Sequence, residues 1–424
     1  MTSRYRVEYA LKQHRRDEFI EWIKGVLAGP FVLHAVKSSG ITVADDMKIS
    51  ADARRRYAEV FSDIERLVDD QIFMYSQNTP EFSRLKQLVP SVGEFFTQLP
   101  LEKAFYIEDE KRSISKRRLV CPSFNDVRVI LNTAQLLQLS GNFNSVSIQE
   151  EDKLQLITFD GDVTLYDDGD CLMPDSPLIP LIIQALSRNF FIGIVTAAGY
   201  KDGAKYYERL YGLIDALELE IYGLTERQKE RFLVMGGEAN YLLQYDSVLK
   251  KLKFIEPSKW ILPAMAGWNP INITNTLDFA ESVLSDLIRK LELPAIVVKK
   301  ERAVGMVAKP GFKLLREALE EVVLICDNKL NNFQPAQEIE FCAFNGGSDV
   351  WVDIGDKSLG VKVLQTFLGK DAKSNSTLHI GDQFATVGAN DYKARRSACT
   401  VWIANPEETR NCLVDLFKYI DNKY

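Results

Sequence analysis

The chain has 424 residues, 46% of them hydrophobic and 26% charged, the balance of an ordinary soluble globular protein with room for two or three domains. Its formal charge of -7 leaves no basic footprint, which sets nucleic acid aside as a main partner but not a small anion needing only local positive charge. Six scattered cysteines without a C-x-x-C pair argue for reduced thiols in a cytosolic setting, against a disulfide frame or a zinc site. The three histidines, His14, His34 and His379, are too spread to form a metal cluster. The N-terminus lacks the apolar core of a secretory signal, and no uncharged apolar run reaches the roughly 18–20 residues that span a bilayer.

Residues 1–150 read as mostly helical. Arg15–Leu27 places Phe19, Ile20, Trp22, Ile23 and Leu27 at near-helical spacing, and Ala51–Asp70 does the same with Tyr57, Val60, Phe61, Ile64 and Leu67. Leu85–Phe96 and Phe124–Leu139 continue the pattern. Between them lies a basic cluster, Lys111 to Arg118, followed by Ser123, an expected helix N-cap with Asp126 in a capping-box position. Such a cluster is a solvated face or an anion pocket, since arginine forks beside a helix start suit phosphate. Residues 141–149 read as a polar link.

From Leu154 the pattern changes to alternating strands and helices. Leu154–Phe159 reads as a buried strand that runs into Asp160-Gly161-Asp162-Val163-Thr164. Helix Pro177–Leu186 and strand Phe191–Val195 follow, the strand ending in Thr196-Ala197-Ala198-Gly199, where a hydroxyl and free amides can hold phosphate. Tyr206–Leu217 is helical. Residues 231–347 read as a compact α+β insertion, with Leu252–Ile255 extended, helices Thr274–Leu293 and Gly311–Cys326, and strands Ala295–Met306 and Ile339–Phe344. The run Asn345–Lys357 leads to helix Ser358–Phe367. Strand Thr377–Ile380 ends in Gly381-Asp382, with Asn390-Asp391 beyond, and strand Thr400–Ile403 and helix Pro406–Tyr419 close the chain.

Two carboxylates two residues apart, just past a buried strand, sit where open α/β sheets bind ligands. The pattern suits metal-assisted phosphoryl transfer, in which one aspartate attacks, the other moves a proton, and a hard cation bridges oxygens. Asp160/Asp162/Thr164, then Thr196, then Lys357 ahead of a helix, then Gly381-Asp382 with Asn390-Asp391, resemble the four motifs of the haloacid dehalogenase superfamily. Lys357 is assigned by context, with Lys362 the competing choice. The insertion resembles that superfamily's type-two cap. The resemblance implies a Rossmannoid α/β core (residues 151–225 and 345–424), an α+β cap (226–344) and an N-terminal helical domain (1–150).

The strings LITFDGDVTLYDDG, GIVTAAGY, FNGGSDVWVDIGDKSLGVK and LHIGDQFATVGANDYKAR, with the N-terminal SRYRVEYALKQHRRDEF and Cys121–Asp126, are similar to the fungal and apicomplexan IMP-specific 5'-nucleotidases. That resemblance implies Asp160 as nucleophile on the phosphate of inosine 5'-monophosphate (IMP), Asp162 as acid and then base, and Thr196 and Lys357 as phosphate ligands. It implies magnesium on Asp160, the Asp162 carbonyl and Asp382. It also implies nucleoside contacts from Asp168, Ser348 and Asp349, activation by ATP with Arg117 as the effector contact, and a cytoplasmic homo-oligomer, a tetramer. Trp351 and Trp268 are read as packing in preference to purine stacking. A sugar phosphatase or phosphomutase of the same superfamily is the alternative, and a nucleotide-sensing assembly protein a further one, against which the intact acidic set argues.

Overall fold

The computed structural model describes residues 17–34, 43–141, 153–369, 372–385 and 388–422. Residues 15 and 16 of the first expected helix, and the link beyond Gly141, lie outside these. The chain divides into two units. One is built from the described residues of Arg16–Leu154, Cys399–Trp402 and Asn411–Tyr424. The other holds Gln155–Ala398 and Ile403–Arg410.

The first unit is helical. Glu18–His34, Val43–Ser76, Leu101–Arg112 and Phe124–Leu139 are its main helices. Tyr57, Phe61, Ile64 and Val68 recur at helical spacing on one face and are buried, and Phe105 packs on that face with ring centroids 6.0 Å from Tyr57 and 5.3 Å from Phe61. Each fully buried ring or branched chain contributes on the order of 2 kcal/mol. Ser123 and Asp126 form the expected capping box at the start of Phe124–Leu139. Leu85–Phe96 is not one helix: only Arg84–Leu88 is helical, because Pro90 has no amide proton to continue the ladder and keeps the preceding Val89 out of the helical region, at φ -132° and ψ 84°.

The second unit is a mixed α/β structure. Its strands are β1 (Leu156–Phe159), β2 (Phe191–Thr196), β3 (Phe232–Gly236), β4 (Tyr241–Asp246), β5 (Lys251–Phe254), β6 (Ala295–Lys299), β7 (Ala303–Ala308), β8 (Phe341–Asn345), β9 (Val350–Ile354) and β10 (Thr377–Gly381). In the first sheet the order runs β10-β1-β2-β3-β4-β5. The pairings β10/β1, β1/β2 and β2/β3 are parallel, with Leu156 opposite both Thr377 and Phe191, while β3/β4 and β4/β5 are antiparallel. The parallel strands are mostly apolar and almost wholly buried, as strands covered on both faces must be, with Thr158, Thr196, Thr377 and His379 as their polar members.

The second sheet has the order β6-β7-β9-β8 and is antiparallel. Helices Pro270–Lys290 and Arg316–Asn331 pack on one face, where Val350, Val352 and Ile354 are fully buried. The strand expected over Ala295–Met306 is a hairpin, since the charged triplet Lys300-Glu301-Arg302 turns back on itself, Lys300 N–H donating to Ala303 O at 2.8 Å. Phe232–Phe254, grouped by sequence with the insertion, instead hydrogen-bonds into the first sheet, and Val350–Ile354 joins the second. Among the described residues no helix is long and apolar enough to cross a membrane, and all six cysteines are free.

Candidate active site

Parallel pairing brings the carboxyl ends of β1, β2 and β10 side by side, and each ends in a polar residue the sequence singled out: Asp160, Thr196 and Asp382. The Asp160 amide extends the ladder by donating to Ile380 O at 3.0 Å. The chain then tightens, with Leu165 N–H reaching Gly161 O at 2.8 Å and Val163 held at φ 63°. A β-branched residue in the left-handed region is strained, and such strain gathers where geometry is held for function. Gly161 has a steric reason: a Cβ there would stand 2.8 Å from the Tyr166 hydroxyl.

Lys357 opens helix Lys357–Leu368, capped by Asp356, whose side chain accepts from Leu359 N–H at 3.0 Å. Its side chain is fully buried, the ammonium 2.8 Å from Asp160 Oδ1 and 2.5 Å from Asp391 Oδ1. Burial alone would neutralise it, but Asp160, Asp391 and Glu238 raise its pKa instead. Lys362 lies on the exposed side of the same helix.

Asp391 also accepts from His379 Nε2 at 3.1 Å and from Gln383 N–H at 2.9 Å. Burial pushes its carboxyl up, yet Lys357 and His379 outweigh that and hold it below the usual range. His379 is kept neutral by burial, and its Nδ1 meets the Thr158 hydroxyl at 2.9 Å. A polar chain Thr158–His379–Asp391–Lys357 thus runs through the buried floor.

Asp160, Asp382 and Asp391 each bring a carboxylate oxygen within 4.8 Å of the others. Burial first, then the neighbouring Asp391, pushes the Asp160 carboxyl up to about 7, with Lys357 opposing. Burial first, then the neighbouring Asp391 and Asp160, hold Asp382 well above the carboxylate range, with Lys357 again opposing. Crowded, partly protonated oxygens without nitrogen or sulfur are the donor set of a hard divalent cation, whose charge relieves their repulsion. The residues fit magnesium.

Thr196 is buried at the tip of β2; its hydroxyl accepts from Ala198 N–H at 3.2 Å. Asp162 is half-buried and its carboxyl is raised, by burial above all, with Asp168 adding and the Gly169 amide opposing at 3.4 Å. Asp168 reaches the second sheet: a Cβ on Gly347 would lie 3.0 Å from its Oδ2. Asp349 is half-buried and raised, by burial first, with Asp168 adding. Ser348 is exposed beside it. So Asp160, Asp162, Thr196, Lys357 and Asp382 come together, and Asp168, Ser348 and Asp349 form a second group facing them.

Arg117 lies in the helical unit. Its guanidinium forks onto Asp126 at 2.6 and 3.1 Å and donates to Arg112 O. Trp268 packs against both hydrophobic clusters of the α/β unit, and Trp351 lies on Gly305.

Sequence reasoning missed Glu238. It is fully buried at φ 62°, its amide donates to Thr196 O at 3.0 Å, and its Oε1 accepts from Asn390 Nδ2 at 3.2 Å. Burial, with Asp160 and Asp391 adding, pushes its carboxyl up to about 8. The available signal was a lone acid in Met235-Gly236-Gly237-Glu238, amid an apolar strand pair.

The profile of the IMP-specific 5'-nucleotidase family matches residues 1–413. An IMP-specific 5'-nucleotidase 1 of Yarrowia lipolytica is 51% identical, covering 100% of this chain and 99% of that one. The Saccharomyces cerevisiae counterpart is 46% identical over 97% and 98%. Among solved structures, an IMP-bound mutant of Plasmodium falciparum IMP-nucleotidase superposes with a TM-score of 0.79 at 31% identity, covering 96% of each chain. The ATP-bound form of that protein gives 0.77 at 31% identity over 98% and 88%. With an α/β sheet that gathers acids and a lysine at its carboxyl edge, these likenesses make the chain a nucleotidase, a hydrolase of nucleotide phosphate esters. Within that class it belongs to the IMP-specific 5'-nucleotidase family.

Proposed function

We propose that the chain hydrolyses IMP to inosine and phosphate through an aspartyl-phosphate, depends on magnesium, and is activated by ATP. The observation that carries the mechanism is the Lys357 ammonium, fully buried between Asp160 and Asp391 at the mouth of the parallel strands. An Asp160 oxygen attacks phosphorus and the bond to the ribose 5'-oxygen breaks, while Asp162 gives that oxygen a proton. The raised carboxyl of Asp162 fits an acid that starts protonated. Asp162 then takes a proton from water, whose oxygen attacks phosphorus and frees Asp160. Thr196 and Lys357 hold the phosphoryl oxygens and offset their charge. Magnesium, held by Asp160, the Asp162 carbonyl and Asp382, would supply charge neutralisation at those oxygens. Asp391 then orients Lys357 and the Asp382 loop.

The parallel sheet with motif residues at its carboxyl edge supports a haloacid-dehalogenase-like Rossmannoid core, and the antiparallel sheet with two helices on one face supports a type-two cap carrying the nucleoside contacts Asp168, Ser348 and Asp349. The helical unit we assign to oligomerisation, as a cytoplasmic tetramer, and to regulation. A relative of the family has been solved with ATP bound, and Arg117 sits beside the capped start of helix Phe124–Leu139, a place that favours anions.

Phosphate release from IMP, AMP, GMP and mannose 6-phosphate, with magnesium or chelator and with or without ATP, tests the reading. IMP should lead, chelator should abolish turnover, ATP should raise it, and Asp160→Asn should remove it. Preference for the hexose phosphate would favour the sugar phosphatase alternative, and undiminished turnover in Asp160→Asn would end the covalent mechanism.

A further inference from the structure

The face of the second sheet opposite its helices carries Asp349, Trp351 and Asp353, alternating along β9 with the buried Val350, Val352 and Ile354. Trp351 lies across its cross-strand partner Gly305, where a Cβ would stand 2.5 Å from the indole. Only a glycine lets the ring lie so close. The Lys300 ammonium, from the turn between β6 and β7, sits 4.2 Å from the centroid of that indole and 5.4 Å from the ring of Tyr200. Tyr200 follows the Thr196 loop of the first sheet. Lys300 therefore stands in the cleft between the two sheets, held on aromatic faces.

Its donors are unspent: among the described residues the ammonium makes no hydrogen bond and no ion pair. It attracts Asp349 and Asp353 only at longer range. A half-buried cation fixed over an indole and still carrying its N–H groups suits a ligand acceptor. On the proposed reading Lys357 and Thr196 take the phosphate, and Asp168 and Asp349 contact the nucleoside. An ionised carboxylate only accepts hydrogen bonds, so the acceptor edge of the base is left to a donor such as Lys300. A 6-oxopurine offers two acceptors on one edge, O6 and N7, whereas adenine puts an amino donor in place of O6.

We infer that Lys300, positioned by Trp351 over Gly305, donates to the O6/N7 edge of the substrate purine and is a determinant of 6-oxopurine over 6-aminopurine selectivity. This deepens the IMP reading and rests on it. A lysine suits O6 equally in guanine, so Lys300 separates IMP from AMP but not IMP from GMP.

The test is kcat/KM for IMP, GMP, AMP and ribose 5-phosphate in the full-length enzyme, its Lys300→Met and its Lys300→Arg. A hydrogen bond to a charged donor corresponds to about ten- to a hundredfold. Lys300→Met should lower IMP and GMP by that factor relative to both AMP and ribose 5-phosphate, and Lys300→Arg should keep most of the preference. An equal fall for all four substrates would overturn the inference, because a cation that merely draws in phosphate, or supports the fold, acts on all alike. So would an unchanged IMP to AMP ratio. Wild-type enzyme that cleaves ribose 5-phosphate but not IMP would instead remove the IMP reading, and the inference with it.

Discussion

Replacing Lys357 with methionine removes one charge and keeps the chain length, so it isolates the electrostatics of the site floor. At an effective dielectric near 20, an ion pair at 2.8 Å gains about 6 kcal/mol. The second contact, at 2.5 Å, is of similar size. Burying three ions takes back several kcal/mol each, so the gross figures do not add to stability. What decides the outcome is the orphaned pair: Lys357→Met leaves Asp160 and Asp391 buried against each other, for a net loss of about 3–5 kcal/mol at pH 7.5. The pH dependence has a definite sign. In the wild type Asp391 is held below its unfolded value, so its stabilisation is present above the ordinary carboxylate range and is lost only as pH falls through the depressed value. In the variant burial and the neighbouring carboxylate raise both groups, one takes up a proton as pH falls, and the penalty shrinks. Urea unfolding by tryptophan fluorescence in chelator, at pH 5.5 and 7.5, should show a gap to wild type that is larger at pH 7.5. A loss below about 1 kcal/mol at pH 7.5, or a gap that widens toward pH 5.5, would refute the reasoning.

Other expectations follow from the same geometry. Asp160 is pushed up to about 7 without a cation, so magnesium binding should release protons and its affinity should rise up to about tenfold per pH unit below neutrality; calorimetry in two buffers of different ionisation enthalpy measures this, and a flat profile between pH 5.5 and 7 counts against the cation site. Gly161→Ala should lower turnover by setting a methyl 2.8 Å from the Tyr166 hydroxyl, and Tyr166→Phe, which removes that oxygen, should restore part of it in the double variant, since overpacking costs about 1–3 kcal/mol. Arg117→Ala should weaken the helical unit by about 1–3 kcal/mol at pH 7 through its fork onto Asp126. Burial raises the Asp126 carboxyl, but Arg117 and Ser123 lower it further, so the loss should fade as pH drops through that depressed value in thermal melts. The same variant should lose activation by ATP while IMP turnover without ATP persists.

What could be read in advance follows the range of each interaction. An apolar run ending in a carboxylate is a local pattern, and Leu156–Phe159 with Asp160 lies at a strand end as that pattern expects. The context Lys357–Leu364 that favours Lys357 over Lys362 is also local, and the two are buried and exposed respectively, since five residues along a helix turn the side chain to another face. Pro90 is an equally local stop, and it outweighs the apolar spacing of Leu85–Phe96. Glu238 had no such cue. Its carboxyl is bound by Asn390, 152 positions away, and its left-handed backbone follows from where β3 and β4 must turn beneath Thr196. β9 is the intermediate case. Val350, Val352 and Ile354 alternate with Trp351 and Asp353, a strand signal in plain view, but which sheet takes the strand depends on Gly305 lying opposite Trp351, a pairing that only the folded hairpin β6/β7 creates. On the proposed reading the phosphate end of the cleft is set by strand tips that sequence marks, whereas the end that would read the base is set by cross-strand contacts that it does not. Selectivity is for that reason harder to infer from this sequence than chemistry is, and Lys300, silent in sequence, stands between Trp351 of one sheet and Tyr200 beside the other.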